Sequence, residues 1–139
     1  MKSKLPCKAA FLDRDGVLCH DKGYTVAPED LSIIEGVGPA IAELSRAGYM
    51  LVVITNQSGV ARGYFSLADV HRFNTALSDT LEKTYGVHIE KFYICPHHPA
   101  GTVAAFAMAC ECRKPGIKLI QEAVKDLKID LTGSLFFGD

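Results

Sequence analysis

The sequence lacks the features that would place a protein in a membrane or on a nucleic acid. No stretch reaches the roughly 18 apolar residues that a membrane-spanning helix needs. The opening MKSKLPCKAAFLDRDG has no apolar segment of the kind that signal peptides contain, and Lys and Arg are nowhere concentrated. A formal net charge of −1 argues against nucleic acid or an anionic membrane surface as partner. We therefore expect a cytoplasmic protein.

The five cysteines are an odd number, which in a reducing compartment indicates metal binding or free thiols and not a disulfide scaffold. Four residues in one segment have metal-ligand spacing: Cys95, His97, Cys110 and Cys112. Three thiolates and one imidazole form a closed tetrahedral set for Zn²⁺, so this site would be structural and would staple the loop 95–112. The alternative is that these cysteines are small buried residues, because a free thiol packs well. Cys7 and Cys19 are expected to be ordinary thiols.

Short apolar runs alternate with helix-like periodicities along the chain. Strands are predicted at KAAFLD, MLVVIT, KFYIC and SLFFGD. Ser66 followed by Asp69 indicates a capping box at the start of a helix. The expected inner faces of three helices are Val37, Ala40, Ile41 and Leu44; Val70, Phe73, Leu77 and Leu81; and Ile117, Ile120, Val124 and Leu127. This alternation predicts a single α/β domain over residues 1–139, with a parallel sheet covered by helices on both faces.

Polar side chains follow the predicted strands. They are Asp13 and Asp15 after the first strand, Thr55 and Asn56 at the end of the second, Cys95 at the end of the third, and Asp139 after the fourth, with Arg113 and Lys114 before the last helix. Because the carboxyl ends of parallel strands meet at one edge, these groups should converge. Carboxylates can hold Mg²⁺, attack phosphorus and move protons, while cations compensate phosphoryl charge. A lone Asp-x-Asp is weak, but the coincidence at several strand ends favours phosphoryl transfer.

Four ordered segments, FLDRDGVL, VVITNQSG, CRKP and FFGD, resemble the motifs of haloacid dehalogenase (HAD) superfamily phosphatases. The resemblance implies a Rossmann-like three-layer αβα fold, with Asp13 as nucleophile and Asp15 as general acid and base. It also implies Mg²⁺ held by the Asp13 carboxylate, the Asp15 backbone carbonyl and Asp139. Thr55 and Lys114 would steady the transferring phosphoryl group. The second motif implies further phosphate or substrate contacts from Asn56, Gln57 and Ser58.

The cysteine segment resembles the capless, zinc-loop HAD branch that contains the D-glycero-D-manno-heptose 1,7-bisphosphate 7-phosphatases and the histidinol-phosphate phosphatases. The stretch TNQSGVARGYF and the long loop between His97 and Cys110 are closer to the heptose enzymes. That resemblance implies removal of the C7 phosphate from a phosphorylated sugar. It implies substrate contacts from Asp21, Lys22, Gly23 and Tyr24, and recognition of the second phosphate by Arg113. The short CRKPGIKLI is closer to the histidinol form, so histidinol phosphate or a broad range of sugar phosphates stays open.

The end of the chain departs from the family pattern. The fourth motif of the family normally continues past Gly-Asp to a second acidic residue, a helix, a fifth strand and another helix, whereas this chain ends at Asp139. We therefore expect a sheet truncated after its fourth core strand, with that strand as an exposed edge. A monomer is expected, with dimerisation through this edge as the alternative. A hypothesis of another class is a catalytically impaired, zinc-stapled module that only binds a ligand or partner.

Overall fold

Four parallel strands form the centre of the fold. They are β1 (Ala9–Leu12), β2 (Met50–Asn56), β3 (Lys91–Cys95) and β4 (Leu135–Phe137), arranged in the order β3-β2-β1-β4. The computed structural model describes residues 7–110 and 117–138 of the chain. All four predicted strands are confirmed, and every pairing in the sheet is parallel.

Helices connect the strands and cover the sheet. They are α1 (Val37–Arg46), α2 (Leu67–Tyr85) and α3 (Lys118–Leu127), with single 3₁₀ turns at Pro28–Asp30 and Leu131–Gly133. Within residues 7–110 and 117–138, no helix combines the length and the hydropathy that crossing a membrane requires.

The alternation of side chains along the strands produces two cores, one on each face of the sheet. Ala10 and Leu12 of β1 pack into the core that also contains Ile41 of α1 and Leu77 of α2. Their neighbours in β1 point to the opposite face, where the second core includes Leu119 of α3. Successive residues of a strand point to opposite faces, so a strand with both faces covered is apolar throughout. The predicted three-layer αβα arrangement is therefore confirmed.

The start of α2 is fixed by the predicted capping box. The Ser66 hydroxyl accepts a hydrogen bond from the Asp69 N–H at 3.1 Å, and the Asp69 carboxylate accepts one from the Ser66 N–H at 2.9 Å. These two bonds satisfy backbone donors that the first helical turn leaves without partners. The predicted inner face is fully buried: Val70, Phe73, Leu77 and Leu81.

Two expectations about helix faces change in the structure. Ala40 was expected on the inner face of α1, but it is exposed. Ile117 was expected on the inner face of the last helix, but it is 58% exposed because the helix begins at Lys118 and its first buried residue is Leu119. Leu135, Phe136 and Phe137 of β4 are 40–46% exposed. Among the described residues β4 pairs with β1 alone, so it is the outer strand of the four beside β1.

Candidate active site and metal centre

The first acidic residue of the site lies at the carboxyl edge of the sheet. Asp13 directly follows β1, and its N–H donates to the Phe137 carbonyl of β4 at 3.0 Å. Its carboxylate accepts a hydrogen bond from the Arg14 N–H at 2.8 Å. The chain after Phe137 therefore leaves the sheet beside Asp13, and Asn56 and Cys95 end the next two strands at the same edge.

A tight turn after β1 places the second acidic residue. The Arg14 carbonyl accepts hydrogen bonds from the N–H groups of Leu18 at 2.9 Å and Cys19 at 3.2 Å, and the Gly16 N–H donates to the Cys19 carbonyl at 2.8 Å. Because the backbone folds back at this point, Asp15 is turned towards β2 instead of continuing the strand.

The Asp15 carboxylate is held by a guanidinium and an amide. Arg14 donates from Nε to Oδ1 and from Nη2 to Oδ2, each at 3.0 Å, and Gln57 Nε2 donates to Oδ2 at 3.0 Å. Burial raises the pKa of Asp15 above its ordinary value, and the Arg14 charge and the hydrogen bonds from Gln57 and Arg14 oppose that rise. Asp15 thus keeps a proton to a higher pH than an exposed aspartate, which suits a general acid.

Gln57 joins the ends of three strands. Its Nε2 also donates to the Thr55 hydroxyl at 3.0 Å, and its backbone N–H donates to the Cys95 carbonyl at 2.9 Å. Thr55 is 1% exposed and Gln57 is 4% exposed. The predicted Thr55 hydroxyl therefore lies beneath the surface of the site and is connected to Asp15 through the Gln57 amide.

A cavity of about 250 Å³ opens beside these groups. Its lining residues are Asp15, Asp21, Gly23, Tyr24, Asn56, Gln57 and Ser58. The structure therefore brings residues of the predicted first-loop and second-motif sets to one depression, while Lys22 is exposed on the same loop. Cys112, Arg113, Lys114 and Asp139 lie outside the described residues.

The loop on one side of the cavity is shaped by its own polar groups. The Asp21 carboxylate accepts from the Gly23 N–H at 2.9 Å, and the Lys22 N–H donates to the Thr25 hydroxyl at 2.8 Å. Tyr24 has a φ of 50°, which is uncommon for a residue with a side chain, and its ring meets Tyr64 edge-on at 4.8 Å. Tyr64, which contacts the cavity-lining Tyr24, was not singled out from the sequence.

We expect Gly23→Ala to weaken substrate binding by straining this loop. Gly23 has a φ of 83° and nothing within 4 Å of the position that a Cβ would take, so the cost is conformational, about 1 kcal/mol. Gly36 has the same φ and the same open surroundings at the start of α1. Both alanine variants should lose similar thermal stability, but only Gly23→Ala should raise KM. An equal KM in the two variants would contradict the assignment of this loop to substrate binding.

Three of the four predicted zinc ligands lie together. The ligand atoms of Cys95, His97 and Cys110 are all within 4.8 Å of one another, and Cys95 Sγ lies 3.9 Å from His97 Nδ1. Atoms that coordinate one tetrahedral zinc are about 3.5 Å apart, so these three ligand atoms would move slightly closer together on binding the ion. Thiolates and imidazole are the donors that zinc prefers.

The loop that carries these ligands packs on the turn after β2. The Ala61 carbonyl accepts from the Thr102 N–H at 2.8 Å and the Val103 N–H at 2.9 Å, and the Thr102 hydroxyl donates to the Arg62 carbonyl at 3.1 Å. A Cβ on Gly101 would lie 2.6 Å from the Ala61 oxygen, so glycine is required for this approach. The candidate metal centre is thus attached to the segment that follows Gln57 and Ser58.

Cys19 is a buried thiol outside this cluster. Burial and the nearby Asp15 charge raise the pKa of Cys19 to about 12. A thiol that stays protonated is a poor nucleophile and a poor metal ligand, which agrees with its expected role as an ordinary thiol.

Comparison with known proteins places the chain among phosphatases. The family model described as polynucleotide kinase 3 phosphatase matches residues 8–139. A D-glycero-beta-D-manno-heptose-1,7-bisphosphate 7-phosphatase from Haemophilus ducreyi is 46% identical over 132 residues, which are 95% of this chain and 72% of the relative.

Two solved structures have the same fold. A protein from Mesorhizobium loti, described as a HAD-like phosphatase, superposes with a TM-score of 0.90 at 36% identity over 100% of this chain and 68% of its own. A D,D-heptose 1,7-bisphosphate phosphatase from B. bronchiseptica, complexed with magnesium and phosphate, gives a TM-score of 0.81 at 32% identity over 95% of this chain and 70% of its own.

The fold and the paired acidic residues at the carboxyl edge therefore define a HAD-like phosphatase. The named relatives narrow this assignment from a broad class of phosphatases to one family, because the sequence identity extends over nearly the whole chain. The chain belongs to the D-glycero-D-manno-heptose 1,7-bisphosphate 7-phosphatase family.

Proposed function

We propose that this chain is a Mg²⁺-dependent phosphatase that hydrolyses the C7 phosphate of D-glycero-D-manno-heptose 1,7-bisphosphate. The observation that carries the proposal is its 46% identity to a heptose bisphosphatase over 95% of its length. The cavity beside Asp15 supports it, because the pocket is open to solvent at the strand ends where α/β proteins bind ligands.

Asp13 is the proposed nucleophile. Its carboxylate oxygen attacks phosphorus, a bond forms between that oxygen and phosphorus, and the bond from phosphorus to the C7 oxygen breaks. Asp15 gives its proton to the leaving oxygen, so the heptose departs as a neutral alcohol and not as an alkoxide. The product of this half-reaction is an aspartyl phosphate on Asp13.

Asp15 then acts as the base. Its carboxylate removes a proton from water as the water oxygen attacks the phosphorus of the aspartyl phosphate. Cleavage of the acyl phosphate P–O bond returns Asp13 as a free carboxylate and releases inorganic phosphate. The raised pKa of Asp15 suits a group that serves both half-reactions, because it holds its proton to a higher pH than an exposed aspartate does.

The donor set at the edge fits a magnesium ion. The Asp13 carboxylate, the Asp15 backbone carbonyl and Asp139 would hold it, all of them hard oxygen ligands. The bond from the Asp13 N–H to the Phe137 carbonyl supports this grouping, because it brings the chain that leads to residue 139 beside Asp13. Bound Mg²⁺ would neutralise charge on the phosphoryl oxygens. Magnesium in the B. bronchiseptica relative supports the same ion here.

The remaining site residues are assigned to binding. Thr55, Asn56, Gln57, Ser58 and Lys114 are proposed to bind the transferring phosphoryl group. Arg113 is proposed to bind the second phosphate through its planar guanidinium. Asp21, Lys22, Gly23 and Tyr24 are proposed to contact the heptose. Six of these ten residues line the cavity beside Asp15: Asp21, Gly23, Tyr24, Asn56, Gln57 and Ser58.

Zinc is proposed as a structural ion held by Cys95, His97, Cys110 and Cys112. The ligand atoms of Cys95, His97 and Cys110 lie within 4.8 Å of one another, and Cys112 is two residues from Cys110 in the sequence. A closed set of four protein ligands leaves no position for water, so the ion would order the loop 95–112 and take no part in the reaction. The single-domain organisation, a cytoplasmic location, the absence of nucleic-acid binding and the monomeric state remain predictions.

Turnover of two substrates tests the choice of heptose. We expect kcat/KM for heptose 1,7-bisphosphate to exceed that for histidinol phosphate by at least about 100-fold, because the second phosphate adds charged hydrogen bonds of about 1.5–3 kcal/mol each. Heptose 7-phosphate, which lacks the second phosphate, is the matched control and should fall between them. A preference for histidinol phosphate would replace the proposed substrate, and similar rates on all three would indicate a broad sugar-phosphate phosphatase.

A further inference from the structure

Between the two acidic residues of the site lies an arginine with no exposed surface. Arg14 is 0% exposed, and burying a guanidinium without partners would be very costly. An arginine that stays on the surface can bind phosphate, but one enclosed by the protein must act on the groups around it. The partners of Arg14 therefore indicate what it does.

Those partners fix the guanidinium on every side. Two of its nitrogens donate to the two oxygens of Asp15, each at 3.0 Å, and Nη1 donates to Asn74 Oδ1 of α2 at 3.2 Å. Nη2 also donates to the Thr25 carbonyl at 2.6 Å, and the guanidinium lies over the Phe73 ring at 4.4 Å. A bidentate contact sets both the position and the plane of a carboxylate, which a single hydrogen bond does not.

The Asp15 carboxylate, held by Arg14, lines the cavity. Its side chain is 21% exposed and lines the cavity, whereas Arg14 behind it has no exposed surface. The proton that Asp15 exchanges must reach the leaving oxygen within about 3 Å, so the orientation of the carboxylate matters for this step. A lysine in place of Arg14 keeps the charge but cannot bridge both oxygens, Asn74 and Thr25 at once.

We propose that Arg14, held by Asn74 and Phe73 of α2, is a positioning residue that orients the Asp15 carboxylate for proton transfer to the leaving group. The inference rests on the proposed phosphatase function and deepens it. Asn74 extends the argument beyond the site, because it is 3% exposed and contacts Arg14, and its Nδ2 has no hydrogen-bond partner among residues 7–110 and 117–138. The Asn74 side chain therefore contacts Arg14 through its amide oxygen.

The test compares two leaving groups. The leaving group of heptose 1,7-bisphosphate is the C7 oxygen of heptose 1-phosphate, an alkoxide that needs a proton, whereas 4-nitrophenyl phosphate releases a stable phenolate that needs none. We expect Arg14→Lys to lower kcat/KM, which covers only the steps up to formation of the aspartyl phosphate, about 100-fold on the heptose substrate and less than about 5-fold on the aryl phosphate, within the range of general acid catalysis. Asn74→Ala, which leaves Arg14 and Asp15 in place, should show the same pattern at about 10-fold and 2-fold.

Two variants provide the references. Asp15→Asn should show the largest difference between the substrates, since it removes the proton donor itself. Tyr93→Phe removes a different half-buried hydrogen bond, the 2.9 Å bond from Tyr93 to Asp126 of α3, and should affect both substrates equally. Thermal unfolding of each variant measures the structural cost separately.

The possible outcomes distinguish the positioning role of Arg14 from the proposed phosphatase function. Larger losses on the heptose substrate in both variants support the positioning role. Equal losses on the two substrates, or no loss, overturn it and leave the phosphatase function standing. If Arg14→Lys does not fold, the Asn74→Ala ratio decides in the same way. A wild-type chain that releases no phosphate from either substrate overturns the proposed function and the inference with it.

Discussion

Asp13→Asn is expected to abolish Mg²⁺-dependent phosphate release, with kcat reduced by about 10⁴-fold or more. The amide cannot attack phosphorus as a carboxylate does, and no aspartyl phosphate can form. The carboxamide also offers the metal a neutral oxygen instead of a charged one. Phosphate release from heptose 1,7-bisphosphate measures the effect, and mass spectrometry of rapidly quenched enzyme should show an added phosphoryl group in wild type alone.

The matched control is Asp79→Asn, which makes the same change at an exposed aspartate of α2. It should retain wild-type activity and stability. If Asp13→Asn and the wild-type chain release phosphate at the same background rate, the chain is not a phosphatase. The alternative hypothesis of a zinc-stapled binding module would then be preferred, and phosphate binding without turnover would be its positive sign.

Cys110→Ser is expected to remove the zinc and lower the thermal stability. A serine hydroxyl binds zinc much more weakly than a thiolate, and structural zinc sites contribute about 10–16 kcal/mol of apparent binding energy in small domains. Even partial loss of that energy should reduce Tm by about 10 °C or more. Zinc content measured by atomic emission should fall from about one ion per chain to well below half, as expected for a site that needs all of its ligands.

Cys7→Ser is the control, because Cys7 lies outside the cluster of Cys95, His97 and Cys110. Its zinc content should equal that of the wild type. The same zinc content in the Cys110 and Cys7 variants would contradict the site. Lowering the pH offers a second check, since protons compete with zinc for thiolates and imidazole, so zinc should dissociate as the pH falls.

Much of the fold could be predicted because the signals are local in the sequence. The start of α2 depends on Ser66 and Asp69, and its buried face repeats every three to four residues, so both appear in a short window. The apolar strands β1, β2 and β3 were equally clear. The start of α3 was predicted one position too early, since Ile117 continues the apolar spacing although the helix has not begun, and the buried residues Leu119 and Ala123 were not among those predicted.

The candidate site was predictable to the extent that its residues come in motifs. Asp13 and Asp15 are two residues apart in the sequence, and so are Cys95 and His97, so the members of each pair must lie close together in space. Contacts between distant segments were not predictable. Arg14 reaches Asn74 across 60 residues of sequence, and Asp15 reaches Gln57 across 42. The charged residue inside the Asp-Arg-Asp segment was the available signal for Arg14, because an arginine between two acidic residues of a buried edge needs partners.

The contact between Gly101 and Ala61 limits how this protein can be engineered. The loop after β3 touches the turn after β2 at a place where only a residue without a side chain fits, because 2.6 Å is too short for any Cβ. Residues on either side of Gly101 can therefore be replaced when this loop is engineered. Position 101 itself has to remain glycine if the loop is to pack against Ala61 in the same way.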